Sequence, residues 1–332
     1  MAPSRAMRII GQVGQIGGRL GERVPLRARR CGALSGAALL ALICSGAGLP
    51  PFLLPDGRER DDGWSATVDA NAPSAIGRSE RAFVSVKEYA ERLERAEARR
   101  AVAAKRWGLR RAPLRPPAPP ERKPELTAEP GHVSGAGLPP VIVQVPTDEK
   151  VVFLTIDDGA EKDPDLLKML SQLDVPYSGF LTDEVAREDY GYFRKAVRDG
   201  AGMHNHSVSH PEMTRLSYAE QRKEICRQQD TLEKELGERP PLFRPPYGAY
   251  DRDTLRAAAS CGVEVVPLWA QEAFPDRIDW GRDDRKFHPG DIILTHFRGE
   301  AEWSGSMTDM VRRVIDAVTE QGFALACLED YI

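Results

Sequence analysis

The stretch Val151-Val152-Phe153-Leu154-Thr155-Ile156-Asp157-Asp158-Gly159 decides the fold. A β-rich run that ends in paired acids and a glycine has the form of a barrel strand delivering catalytic groups to the open end of the barrel. Working outward, residues 141–332 alternate short apolar runs with helical stretches, the pattern of a parallel sheet covered by helices. Strands are expected near 151–156, 177–182, 201–206, 241–244, 263–269, 291–296 and 323–328. Helices are expected near 164–173, 184–199, 217–236, 251–260 and 307–321, the longest of them ending at Gly237. The fold class is therefore α/β, and periodicity leaves both a closed barrel and an open doubly wound sheet in play.

Polar residues single this domain out from other α/β units. Asp157 and Asp158 end the first expected strand, His204 and His206 the third, Arg244 the fourth and His296 the sixth, while Trp269 and Glu272 follow the fifth. In a parallel barrel such ends converge, so residues distant in sequence would share one site.

Upstream the composition changes. The chain has 332 residues and a formal net charge of −4, but residues 141–332 carry 23 Lys+Arg against 36 Asp+Glu. An acidic C-terminal part argues against a nucleic-acid partner. Residues 1–54 form a basic leader with seven arginines up to Arg30, followed by an apolar segment from Cys31 to Leu54. That segment suits either a membrane anchor with its N-terminus inside or a cleaved secretory signal with small residues at Ser45-Gly46-Ala47. Both place the rest of the chain outside the cytoplasm.

Residues 55–140 read as a largely disordered linker. Within it Val86 to Arg111 is expected to form a solvated, charged helix without a core, with acid–base pairs such as Glu88 and Arg92 at helical spacing. Residues 112–140, rich in proline, are expected to be an extended, semi-rigid spacer. Cys226, Cys261 and Cys327 are read as buried thiols, with one disulfide open as the alternative outside the cytoplasm.

The chemistry follows from residue types. His206-Ser207-Val208-Ser209-His210 sets two imidazoles four residues apart, and either Asp157 or Asp158 can complete a two-histidine, one-carboxylate set for zinc or a similar divalent ion. Adjacent aspartates cannot point the same way, which leaves the other one to serve as a base on an activated water. Arg244, in Phe243-Arg244-Pro245-Pro246-Tyr247-Gly248, is the candidate to orient Asp157.

These motifs resemble those of the polysaccharide deacetylases with NodB homology, carbohydrate esterase family 4. Thr155-Ile156-Asp157-Asp158-Gly159, His206 to His210, Arg244 to Gly248 and Ile293-Leu294-Thr295-His296 occur in the family's order. The resemblance covers most of residues 148–330 and implies a distorted (β/α)7 barrel over the domain 141–332. It further implies that Asp158, His206 and His210 bind one divalent metal, Zn2+ or Co2+ among the candidates, with Asp157 as base and His296 as acid. Arg244 would tether Asp157, the Tyr247 backbone N–H would stabilise an oxyanion, and Leu294 would line the acetyl pocket.

Some positions depart from the family pattern. Ile156 and Ala160 replace the usual Phe and Pro, and His204 stands where a small residue is usual, read as an extra polar core group facing the same side as His206. The segment Asp276-Arg277-Ile278-Asp279-Trp280 is preferred as the carrier of the acid that orients His296, with Trp280 as a wall of the sugar groove and Glu272 as the rival acid. Trp303 is a second stacking candidate. The expected activity is removal of N-acetyl groups from an amino-sugar polymer, peptidoglycan or a chitin-like glycan. An O-deacetylase of acetylated xylan and a non-catalytic wall-glycan-binding module are the alternatives.

Overall fold

The computed structural model describes residues 75–332, with side chains from residue 87 onward, so the leader 1–54 lies outside the described residues. In chain order the elements are α1 (Ala75–Arg106), β1 (Val141–Ile142), β2 (Val151–Asp158), α2 (Pro164–Leu173), β3 (Ser178–Leu181), α3 (Asp183–Ala186), α4 (Tyr190–Arg198) and β4 (Gly202–Asn205). They continue with α5 (Tyr218–Leu236), α6 (Arg252–Ser260), β5 (Val266–Pro267), β6 (Gln271–Ala273), β7 (Ile278–Trp280), β8 (Ile292–His296), α7 (Met307–Glu320) and β9 (Ala324–Leu325). Among the described residues no helix is long and apolar enough to cross a membrane.

The α/β fold is built around β2, whose eight residues are all buried. A strand covered on both faces is apolar along most of its length, which is why Val151 to Ile156 shows no alternation with exposed polar residues. Val152, Leu154 and Ile156 pack in one apolar cluster with residues of α2 and α7. Val151 and Phe153 pack on the other face with Phe180, Leu242, Val265 and Ile292. The strand order is β4-β3-β2-β8-β6-β7, parallel except for the β6–β7 hairpin, with β9 beside the start of β2. Beyond β4 the main chain continues through single bridges, Asn205 to Phe243 and Leu242 to Val265.

The helices start and stop on chemistry visible in the sequence. Ser217 and Glu220 form a capping box on α5, and Gly237, at φ 92°, closes it in the left-handed region. Ser306 and Asp309 do the same at the start of α7, and Asp251 with Thr254 at the start of α6. The expected helix 184–199 is two helices, α3 and α4, because Asp189 caps α4 by accepting from Tyr192 N. The expected strand 241–244 is reduced to isolated bridges, since Pro240, Pro241 and Pro245 remove donors along it.

Two expectations are corrected. Residues 100–140 are neither a core-free solvated helix nor a free spacer. Arg100 is buried on α1; its Nε donates to Leu173 O at 2.9 Å, its Nη2 to Pro113 O at 2.8 Å, and Ala103 and Ala104 join the apolar cluster of α2 and α7. The proline-rich segment lies against the domain: Leu114 bridges Ala324, and the Glu129 carboxylate accepts from Val143 N at 2.8 Å and Gln144 N at 3.1 Å. The small alanine face of the helix was masked by the surrounding charges. The thiol reading also gives way, because Cys226 and Cys261 form a disulfide joining α5 to the end of α6.

Replacing Arg100 by Ala should lower the unfolding free energy by about 2–3 kcal/mol, as expected for losing hydrogen bonds from a buried charged donor to main-chain acceptors. Urea unfolding of the full chain is the measurement. A change no larger than that of the exposed control Arg99→Ala would mean that α1 does not dock.

Candidate active site

The register of β2 creates the site. Asp157 lies opposite His296 of β8 on one side and Phe180 of β3 on the other, and Thr155 lies opposite Leu294. Leu294 in turn lies opposite Glu272 of β6. Parallel pairing thus brings to one edge the ends of strands that are far apart in sequence.

Asp157 is held by Arg244, whose Nη1 is 2.7 Å from its Oδ1. The guanidinium is fully buried and spends its other donors on Thr155 Oγ1 at 2.8 Å, Pro267 O at 2.8 Å and Leu268 O at 3.1 Å. Its flat face lies 4.2 Å from the centre of the Phe180 ring. Burial raises the Asp157 pKa, and the Arg244 charge opposes that shift without cancelling it.

Asp158 turns the other way because its backbone is left-handed, at φ 75°. Its Oδ1 lies 3.3 Å from His210 Nε2 and 3.6 Å from His206 Nε2, and the ligand atoms of these three residues lie within 4.8 Å of one another. His206 Nδ1 lies 2.7 Å from the Arg244 carbonyl oxygen, an acceptor that fixes the proton on Nδ1 and turns the Nε2 lone pair toward Asp158. Burial presses the His206 pKa down to about 4, and it lowers that of His210 as well. Burial acts on Asp158 in the opposite sense, but His206, His296, His210 and Arg298 together hold it below the ordinary carboxylate value.

The donor set fits a divalent cation. Asp158 Oδ1 is buried without a hydrogen-bond partner and faces two neutral imidazole nitrogens. An orphaned carboxylate oxygen in that position is what a metal ion satisfies, and two His with one carboxylate leave positions open for water and substrate.

His296 and Tyr247 flank this cluster. His296 Nδ1 is 3.5 Å from Glu272 Oε1, close enough for charge attraction but without hydrogen-bond geometry. Burial lowers the His296 pKa and raises that of Glu272. Tyr247 sits in a turn at φ 61°, exposed, with its ring 4.7 Å from that of His210. Leu294 is buried in β8.

Other expected site residues lie elsewhere. Asp276 and Asp279 are exposed and pair with Arg277, at 3.3 and 3.0 Å, so the acid beside His296 is Glu272 and not one of these. The β6–β7 hairpin explains the difference: Asp279 is cross-strand from Glu272 on a peripheral antiparallel strand. Trp280 packs against Phe287 at 4.8 Å, whereas Trp303 meets His296 edge-on at 6.4 Å. His204 is outside the metal cluster; its Nε2 contacts Glu329 at 2.6 Å and its ring leans on Phe180.

Four supporting residues were missed in the sequence. Asn205 accepts from Ser207 N at 2.8 Å, and Glu224 accepts from Val208 N and Ser209 N at 3.0 and 2.9 Å, so both clamp the loop that carries the histidines. Thr155 anchors Arg244, and Arg298 lies 3.2 Å from Asp158 Oδ2. An Asn directly before His206 was a readable turn signal, since Asn favours such side-chain-to-backbone bonds. Glu224 and Arg298 carried none.

A buried carboxylate pair with two imidazoles thus converges at one end of a parallel α/β sheet, a donor set that could hold a metal ion. Residues 144–266 match the family model described as polysaccharide deacetylase. An uncharacterised protein of Streptomyces coelicolor is 40% identical over 199 residues, covering 60% of this chain and 79% of the relative. A peptidoglycan-N-acetylmuramic acid deacetylase of Bacillus subtilis is 33% identical over 192 residues, covering 54% of this chain and 38% of that longer protein. A solved peptidoglycan N-acetylglucosamine deacetylase superposes with a TM-score of 0.51 at 25% identity, covering 58% of this chain and 92% of that one. The chain belongs to the polysaccharide deacetylases of carbohydrate esterase family 4, a group of metal-dependent hydrolases.

Arg244→Met should lower stability by about 3–5 kcal/mol by leaving Asp157 buried without its cation. The double variant Arg244→Met/Asp157→Asn should recover part of that loss, and chemical unfolding of both gives the comparison. A single-variant loss below about 1 kcal/mol, within the range of exposed ion pairs, would contradict this account of the pair.

Proposed function

We propose that this chain removes N-acetyl groups from the amino sugars of cell-wall peptidoglycan, outside the cytoplasm, by a zinc-dependent hydrolysis within a distorted (β/α)7 barrel. The observation that carries the reading is the Asp158–His206–His210 cluster with Asp157 and His296 beside it on adjacent strands. Main-chain bridges from β4 through Leu242 and Phe243 to Val265 support the barrel. The disulfide supports an oxidising compartment, and the apolar segment before Leu54 supports export through either a cleaved signal or a membrane anchor.

Asp158, His206 and His210 would hold the ion, which when bound supplies Lewis acidity toward the amide carbonyl and makes water acidic enough to lose a proton near neutral pH. Asp157 accepts that proton. Arg244 occupies its Oδ1 and thereby fixes where Oδ2 points, while burial keeps the carboxylate more basic than an exposed one. The Tyr247 N–H stabilises the oxyanion, and the strained turn that exposes Tyr247 fixes the peptide plane. His296 hands a proton to the departing nitrogen, with the Glu272 carboxylate 3.5 Å from its Nδ1 favouring the charged ring. Leu294 contacts the acetyl methyl, and Trp303 beside His296 forms a wall of the sugar groove.

The purified zinc-loaded chain should release acetate from peptidoglycan or acetylglucosamine oligomers, and a chelated control should not. Release from acetylxylan alone would shift the reading to ester substrates. No release from any of these by folded, metal-loaded protein would remove the enzymatic assignment. Within the site, Asp158→Asn should lose zinc, measured by calorimetry, together with activity. Asp157→Asn should retain zinc and lose about 100-fold or more in kcat. Equal loss of zinc in both variants would overturn the division of roles.

A further inference from the structure

The strand between the two halves of the Asp158–His206–His210 cluster ends in a residue that reaches both. β3 lies between β2, which carries Asp158, and β4, which leads into the histidine loop. Thr182 follows β3 directly and is buried. Its main-chain N–H donates to Asp158 O at 3.0 Å, and its hydroxyl donates to His206 O at 2.9 Å. One residue thus bonds the backbones of a carboxylate and an imidazole whose side chains face each other.

Thr182 occupies the N-cap of α3, where a threonine hydroxyl ordinarily accepts from the amides of the first turn, yet it makes no such cap bond. The first amides of α3 are turned to the same task as the hydroxyl: Asp183 N donates to Ser207 O at 3.3 Å and Glu184 N to Val208 O at 2.9 Å. Three consecutive residues therefore hold three consecutive carbonyls of the histidine loop. From the other side Lys162 Nζ donates to Ala160 O and Val185 O, both at 2.8 Å, so α3 is also clipped to the loop that follows Asp158. Asp158 and Ser207 both have left-handed backbones, at φ 75° and 71°, conformations that persist only where neighbouring bonds over-determine them. Among the three donors to the histidine loop, the Thr182 hydroxyl is the side-chain one, so it is the one a substitution can remove.

We propose that Thr182 is a positioning residue of the metal site: its hydroxyl fixes the His206 main chain against Asp158 and thereby sets how tightly, and in what geometry, the chain binds a divalent ion. The inference rests on the reading of Asp158, His206 and His210 as the ligands. Thr182 acts through two of these residues and touches neither ion nor substrate. Thr182→Val preserves the shape of the side chain and leaves the His206 carbonyl without this donor.

The test is zinc calorimetry on the full chain, with the visible spectrum of the Co2+-loaded chain as a report on coordination geometry. Thr182→Val should bind zinc at least about tenfold more weakly than the native chain and shift the cobalt bands, whereas Thr182→Ser, which keeps the hydroxyl, should return to within about threefold of native affinity. Thr182→Ala gives the same comparison if Thr182→Val folds poorly. Urea unfolding of the metal-free variants separates the two roles, because a residue that only supports the fold would lower stability and leave the zinc affinity of the folded chain unchanged. Native zinc affinity and an unshifted cobalt spectrum in Thr182→Val, or a Thr182→Ser variant as weak as Thr182→Val, would overturn the proposal. Asp158→Asn checks the ligand reading by itself: if it binds zinc as tightly as the native chain, that reading fails and the proposal fails with it, whereas loss of zinc in Asp158→Asn alone faults only the role of Thr182.

Discussion

The site depends on one fully buried guanidinium. Arg244 ties three segments of the sheet together: β2 through Thr155 and Asp157, its own segment through the backbone, and the end of β5 through the carbonyls of Pro267 and Leu268. Burying such a group is costly unless all its donors are used, and here the acceptors and the Phe180 ring surround it. Its own carbonyl oxygen then sets the proton of His206. One residue thus orients the Asp157 carboxylate through its side chain and the His206 imidazole through its main chain.

This coupling explains why two adjacent aspartates differ so sharply. Asp157 keeps an extended strand geometry and looks inward to Arg244, while Asp158 departs into the left-handed region and looks toward the histidines. Burial pushes the two carboxyl groups the same way, and their neighbours separate them: two imidazoles, His296 and Arg298 around Asp158 outweigh burial, whereas Arg244 and His296 do not at Asp157, where the Asp158 charge adds to burial. A pair of carboxylates with divergent proton affinities is the arrangement that acid–base chemistry requires.

Much of this was legible in the chain. The apolar run ending in Asp157 marked the central strand because a strand covered on both faces is mostly apolar, and the stop of α5 at Gly237 is local chemistry. What was not legible depends on contacts between distant segments. A one-dimensional reading prefers the Asp276–Trp280 segment over Glu272, and only the β6–β7 hairpin decides that Glu272 lies beside His296 and Asp279 in solvent. The docking of α1 was hidden because an alanine face is enough to pack against α2, and Arg100 looks like any surface arginine until its acceptors, Leu173 O and Pro113 O, are known.

Backbone strain shows where the fold has been bent to suit chemistry. Among the described residues six non-glycine positions have positive φ, and four of them, Asp158, Ser207, His210 and Tyr247, belong to the site. Each is disfavoured by about 1 kcal/mol or more, so such conformations persist only where the surroundings over-determine them. Asn205 holds Ser207, the Ser207 hydroxyl holds the His210 N–H, and Glu224 holds the two amides between them. Asp158 is strained at the end of a strand paired on both sides, and Tyr247 between Pro246 and Gly248. The loop chemistry around the histidines therefore shapes the Asp158–His206–His210 cluster: Asn205 and Glu224 hold the strained backbone from which both imidazoles project.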